Sequence, residues 1–193
     1  MMTSMRSLLC ACLIVVTAGT AAQGKGCDGV TFPDREQVQG STLTLNGLGI
    51  RKATLLKVHV YVAALYVAQP SGDPGFILAA NAPTELIMHF VRDVGAKDIT
   101  EAWDEGIANN AKAQLPALKD RIVMLNGWMA DIKNGQRMVF SFKPGVGLTA
   151  RVNGTVKGTI KGDDFAKAFF SLWLGVQLAN PELKTGLLGG ACG

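Results

Sequence analysis

Between Leu55 and Val67 apolar residues occupy both parities of the chain: Leu55, Val67 and Leu65 fall on one, Leu56, Val58, Val60, Val62 and Ala64 on the other. Successive residues of a strand point to opposite faces, so a run that is apolar on both sets needs cover on both sides. The stretch 55–68 therefore reads as a central strand, and the rest of the chain has to supply what lies above and below it.

The flanking segments supply partners. "STLTLNGLGI" alternates Leu43 and Leu45 with polar residues and reads as an adjoining strand, and "TELIMHFVRDV" reads as a third. Gly47 and Gly49 are expected to bend the first of these. Ile99, Ala102, Trp103, Gly106, Ile107 and Asn110 recur at helical spacing in 97–113, with Asp98 in the first turn. A second amphipathic helix is expected over 116–132, with Pro116 at its start and Leu118, Ile122, Leu125, Met129 and Ile132 on one stripe.

Strand patterns return in "QRMVFSFKPG" and in "LTARVNGTVKGTI", where Asn153-Gly154 between alternating segments predicts an antiparallel hairpin. Asp163 or Asp164 is expected to cap a helix whose apolar face is Phe165, Phe169, Leu172 and Trp173, ended by Gly175 in a left-handed conformation. A short helix near "NPELKTGLLG" closes the pattern. Strands at both ends with helices inserted between them, joined by short connections, give the α+β class: an antiparallel sheet with helices on a face. Trp103 and Trp173 are expected to be buried where their helices meet that sheet.

The first residues are a separate matter. "MMTSMRSLLCACLIVVTAGTAAQ" has one positive charge at Arg6, an apolar run from Leu8 to Val16 and small residues from Ala18 to Ala22, the pattern of a cleaved secretory signal over 1–22. The apolar run is about half the roughly 20 residues that span a bilayer, so no integral membrane segment is expected after cleavage. Cys10 and Cys12 leave with the leader. The single domain expected over 23–193, with its folded part from about Val30 to Leu188, keeps Cys27 and Cys192, and an even pair in an exported, periplasmic protein predicts a disulfide between its two ends. Removing Arg6 leaves eighteen basic residues against fifteen acidic, a balance of +3 too small and scattered for nucleic acid.

No phosphate-binding glycine loop, metal-spaced Cys or His cluster or nucleophile elbow occurs. What stands out is Arg51, a cation that stays charged, in front of the apolar run with His59 and Tyr61. The three share parity, as do His89 and Asp93 on the third strand. Two arrangements fit these residues. Arg51 and Tyr61 together suit a carboxylate ligand, held by the guanidinium fork and the phenol. In the other arrangement Arg51 closes an internal salt bridge to Asp93 or another acid, with Tyr61 a core aromatic bonded to backbone.

The run "LNGLGIRKATLLKVHVYVAALYV", then "FVRDVGAKDITEAWDEGI", then "FKPGVGLTARVNGTVKGTIKGDDFAKAFFSLWLG" resembles the chalcone isomerase superfamily, specifically its exported bacterial chalcone isomerase-like branch. The resemblance implies that superfamily's open-faced β-sandwich, a large antiparallel sheet with helices on one face and a ligand cleft beside it. Arg51 in "GLGIR" matches the arginine of the plant enzymes, whereas Tyr61 stands where their catalytic threonine is. The fatty-acid-binding branch is similar to this chain in pairing the arginine with a tyrosine that holds a carboxylate. The remaining plant active-site residues have no counterpart placed here, and Tyr66 has the wrong parity.

Three functions follow as expectations. The first is a periplasmic, non-catalytic binder of a hydrophobic carboxylate such as a fatty acid, with Arg51, Tyr61 and His59 as ligand-binding residues. The second is an isomerase closing a chalcone to a flavanone, with Arg51 holding the phenolate. The third is haem binding through His59, Tyr61 or His89, since histidine and tyrosine are both axial ligands.

Overall fold

The computed structural model describes residues 24–53 and 56–193; the leader expected over 1–22 and Leu55 of the apolar run lie outside the described residues. The chain opens with a two-stranded hairpin, β1 (Gly24–Cys27) and β2 (Val30–Pro33), turned by Asp28 and Gly29 at positive φ. Next come β3 (Arg35–Val38), β4 (Ser41–Ala53) and β5 (Val58–Val67). A short helix, α1 (Pro74–Ala79), starts at Asp73, whose carboxylate accepts from the Gly75 N–H at 2.8 Å. Then follow β6 (Thr84–Phe90), α2 (Ala96–Asn110) and α3 (Leu115–Gly127). The second half holds β7 (Arg137–Lys143), β8 (Gly147–Val152), β9 (Thr155–Ile160), α4 (Asp163–Leu174) and α5 (Pro181–Leu187).

Strands β3 to β9 form one antiparallel sheet in which spatial order follows chain order. Its helices lie on one face, where Ala63, Leu65 and Val67 of β5 meet Trp103, Phe140, Phe169 and Trp173. The Phe169 ring centroid sits 5.6 Å from that of Trp103 and 5.1 Å from that of Trp173, both edge-to-face geometries that suit aromatic quadrupoles. Both tryptophans are buried, as the helix faces predict.

The other face of β5, with Val62, Ala64 and Tyr66, is covered by Val30 and Phe32 of the N-terminal hairpin. Helices on one side and a hairpin on the other are why β5 is apolar on both parities. Cys27 at the end of β1 is bonded to Cys192, and the tail also adds to the sheet through an Ile50 N–H donated to the Cys192 carbonyl at 3.2 Å.

Several local expectations are corrected. The apolar run becomes strand only from Val58, because Leu56 and Lys57 form a turn, Lys57 at φ 51°. The helix expected to 132 ends at Gly127; Met129 and Ile132 continue inward without it, and Ile132 instead bridges Val94. Neither Asp163 nor Asp164 caps α4: both lie in its first turn, and Asp164 is ion-paired to Arg121. Gly175 ends α4 in an extended conformation and not the left-handed one; what demands a glycine there is space, since a Cβ would collide with Asn110 and the Ser171 carbonyl.

Gly47 and Gly49 do more than bend β4. A Cβ on Gly47 would collide with the carbonyl oxygens of Gly186 and Leu187, and one on Gly49 with that of Leu183, so these glycines let α5 lie directly on the strand. At the bulge between them and Leu45, the buried Asn46 donates to the Leu187 carbonyl at 2.8 Å and to that of Ser71 at 3.0 Å. Asn153 and Gly154 both adopt positive φ in the β8–β9 turn, as the hairpin signal predicts.

Candidate functional site

The antiparallel pairing of β4 with β5 runs Ile50 to Val62 and Arg51 to Tyr61, then jumps to Lys52 opposite His59. Val60 is the extra residue of a β-bulge. A bulge breaks the alternation of side chains. Val60 and Tyr61 both turn to the helix face, and His59 is thrown to the other, where its Nδ1 lies 2.7 Å from the Asp28 carboxylate in the β1–β2 turn. The expected common face of Arg51, His59 and Tyr61 therefore holds for Arg51 and Tyr61 only.

Those two line a cleft of about 660 Å³ between the sheet, α2 and the segment from the end of α4 into α5. Its sheet wall is Tyr61, Met88 and Phe90; its helix wall is Ile99, Trp103, Leu172, Trp173 and Leu183. Polar groups gather on its lining as well: Arg92, Asp98, Glu105, Asn109 and Asn180. An apolar body with a few convergent polar groups is the usual composition of a small-molecule site.

Arg51 is half-buried, and its Nη1 donates to the neighbouring Lys52 carbonyl at 2.9 Å. Among the described residues no carboxylate forms an ion pair with it. The internal partner considered from sequence, Asp93, is engaged elsewhere: it accepts from the Asn134 N–H at 2.9 Å and from Lys133 Nζ at 3.0 Å. Those two donors, the backbone N–H first, hold the Asp93 carboxyl below the usual carboxylate range.

Arg51 is kept in place by its surroundings. Lys52 donates its N–H to Asn180 Oδ1 at 2.8 Å and its Nζ to Glu182 at 2.9 Å, which ties the end of β4 to the start of α5.

Tyr61 is buried, and its hydroxyl oxygen accepts the Trp173 indole N–H at 2.9 Å. Burial pushes the phenol above its ordinary pKa, opposed by the Trp173 hydrogen bond and by the Arg51 charge. It is a neutral hydroxyl at physiological pH. Indole nitrogen only donates, so the hydroxyl proton is not used by Trp173, and it is donated to no other described group. Arg51 and Tyr61 thus present one cation and one O–H donor on the lining of the cleft, a pair that can hold an anionic oxygen.

His89 does not join them. It sits opposite Val62 and Arg137, on the face away from the cleft, and its Nδ1 accepts from Arg137 Nε at 3.0 Å. Burial and the Arg137 charge hold its pKa below the ordinary histidine value. The three residues considered as haem ligands are divided between two faces of the sheet, because the bulge removes His59 and the register removes His89.

Sequence reasoning placed Trp173 on the apolar stripe of its helix but gave no sign that its indole would meet Tyr61. Arg92 and Asn180 were also missed. Arg92 lies within the segment read as the third strand and just past the end of β6, where a cation beside an apolar run was visible; Asn180 carried no signal.

A family model described as chalcone isomerase-like matches residues 24–189. The chain belongs to the chalcone isomerase-like family. Among solved structures, this family member is similar to the fatty-acid binding protein AtFAP1 of Arabidopsis thaliana, with 16% identity over 86% of this chain and 96% of that one and a TM-score of 0.68, a likeness of fold. No curated protein matches the chain by sequence.

Proposed function

We propose that this chalcone isomerase-like protein is an exported, periplasmic binder of a hydrophobic carboxylate such as a fatty acid, and that it holds the ligand without converting it. The observation that carries this is the pairing of Arg51, which has no internal anion among the described residues, with a Tyr61 hydroxyl whose proton is unengaged, both at the cleft. A carboxylate would take the guanidinium fork and the phenol proton as charge-assisted hydrogen bonds. Its chain would run over Met88, Phe90, Trp103 and Leu183, each buried methylene contributing about 0.8 kcal/mol.

The fold likeness to the Arabidopsis fatty-acid binding protein supports the same reading. Tyr61 in place of a threonine weighs against the isomerase, and the leader pattern and the cysteine pair support export. The test is to purify the mature chain, extract it with organic solvent and identify by mass spectrometry what it carried, with hexadecanoic acid titrated into the delipidated protein. Recovery of fatty acid together with saturable binding supports the reading. No binding of the acid, or conversion of a chalcone to a flavanone at enzymatic rates, overturns it.

A further inference from the structure

The direction of one hydrogen bond constrains the head group. The Trp173 indole N–H has no acceptor capacity, so in its 2.9 Å contact with Tyr61 the phenol oxygen must be the acceptor. A tyrosine hydroxyl carries one proton and two lone pairs. With one lone pair taken by the indole, the proton cannot lie along that line, and no described group receives it elsewhere. Tyr61 is buried and lines the cleft, so the cleft is the place its free proton can serve.

We infer that Trp173 is a positioning residue that locks Tyr61 as a hydrogen-bond donor, so that the cleft favours head groups that can only accept, carboxylates, over alcohols of the same chain, which can donate or accept. This rests on the carboxylate-binding reading above and deepens it. Arg51 alone would prefer any anion. The Trp173–Tyr61 pair adds a fixed donor: a carboxylate takes it as a charge-assisted bond, whereas an alcohol oxygen accepts it only as a weaker neutral bond and, able to donate or accept, gains little from a phenol locked one way. Trp173 is itself held by packing: its ring centroid lies 5.1 Å from that of Phe169, and its residue is almost wholly buried.

The experiment measures dissociation constants of hexadecanoic acid and hexadecan-1-ol for wild type, Trp173→Phe and Phe169→Leu. Trp173→Phe removes the indole donor and frees the phenol to turn its proton away. Acid affinity should fall roughly two- to tenfold while alcohol affinity holds or rises, the range expected for losing one aligned hydrogen bond. Phe169→Leu loosens the packing around Trp173 but keeps the indole donor, so it should weaken both ligands together. An acid-to-alcohol ratio unchanged in Trp173→Phe, or lowered equally by Phe169→Leu, overturns the inference while leaving carboxylate binding intact.

Should Trp173→Phe not fold, the wild type answers. The Trp173 indole N–H, followed by NMR in deuterated solvent, should exchange slowly with and without hexadecanoic acid. Exchange at the bulk rate in either state shows that the bond to Tyr61 is not maintained and overturns the lock. Wild type that binds neither ligand brings down the proposed function and this inference with it.

Discussion

Arg51 and Tyr61 face the same cleft, yet their removal should differ in kind. Arg51→Ala deletes a cation that closes no internal pair among the described residues, so the unfolding free energy should change by no more than a surface substitution gives, about 0.5 kcal/mol, while hexadecanoic acid binding is lost. Arg51→Lys should fold and bind weakly, since an ammonium cannot reproduce the planar fork. Tyr61→Phe should do two things at once. It withdraws a donor from the ligand, and it leaves the buried Trp173 N–H without its acceptor, a cost of about 1–3 kcal/mol readable by denaturant titration. A Tyr61→Phe protein as stable as wild type would mean that the indole finds another partner.

Glu85 supplies a pH-dependent contrast on the opposite face. It is buried, and burial raises its pKa against the lowering effect of the Ser141 hydroxyl that it accepts. A carboxyl whose folded pKa is raised contributes stability below its unfolded value, near 4.3, and loses it as pH rises through the folded value. Glu85→Gln should therefore raise the melting temperature at pH 7 and change it little at pH 4. An equal effect at both values would show that ionisation is not what matters there.

At the scale of elements, the site depends on α5 lying against β4. Gly49→Ala forces a methyl into the Leu183 carbonyl, and overpacking of this kind costs about 1–3 kcal/mol. Leu183 lines the cleft and Glu182 holds Lys52 beside Arg51, so the same variant should also weaken hexadecanoic acid binding, whereas Gly29→Ala in the distant β1–β2 turn should not. The elements themselves were legible in the sequence where a local pattern carries them: the hairpin at Asn153-Gly154, the stripe of α4, the two-sided apolar run of β5. What escaped was set by contacts between elements. The Val60 bulge depends on how β5 pairs with β4, and parity counted along a continuous strand placed His59 on the wrong face. Helix α3 stops at Gly127, and Met129 and Ile132 keep the apolar spacing without the helical backbone. The short strands β1 to β3 have too few residues to show a period, and Trp173 was legible as buried but not as Tyr61's partner.

For the molecule as a whole, the Cys27–Cys192 bond spans a sequence separation of 165 and joins the hairpin on one face of the sheet to the tail that pairs with Ile50 on β4. In the chain-entropy account a crosslink over so long a loop stabilises mainly by restricting the unfolded chain, about 2–5 kcal/mol. Reductant should lower the melting temperature of the purified protein, and Cys27→Ser with Cys192→Ser should match the reduced wild type. A reduced protein that melts where the oxidised one does would show the bond to be thermodynamically idle.

The same bond decides how the molecule carries mechanical load. Tension applied at Cys27 and Cys192 passes between them through sulfur and bypasses the seven-stranded sheet, so an oxidised molecule pulled at those two residues should not lengthen between them. Once the bond is reduced, the load falls first on the β1–β2 hairpin and on the tail that pairs with Ile50, the residue next to Arg51 on the edge of the cleft.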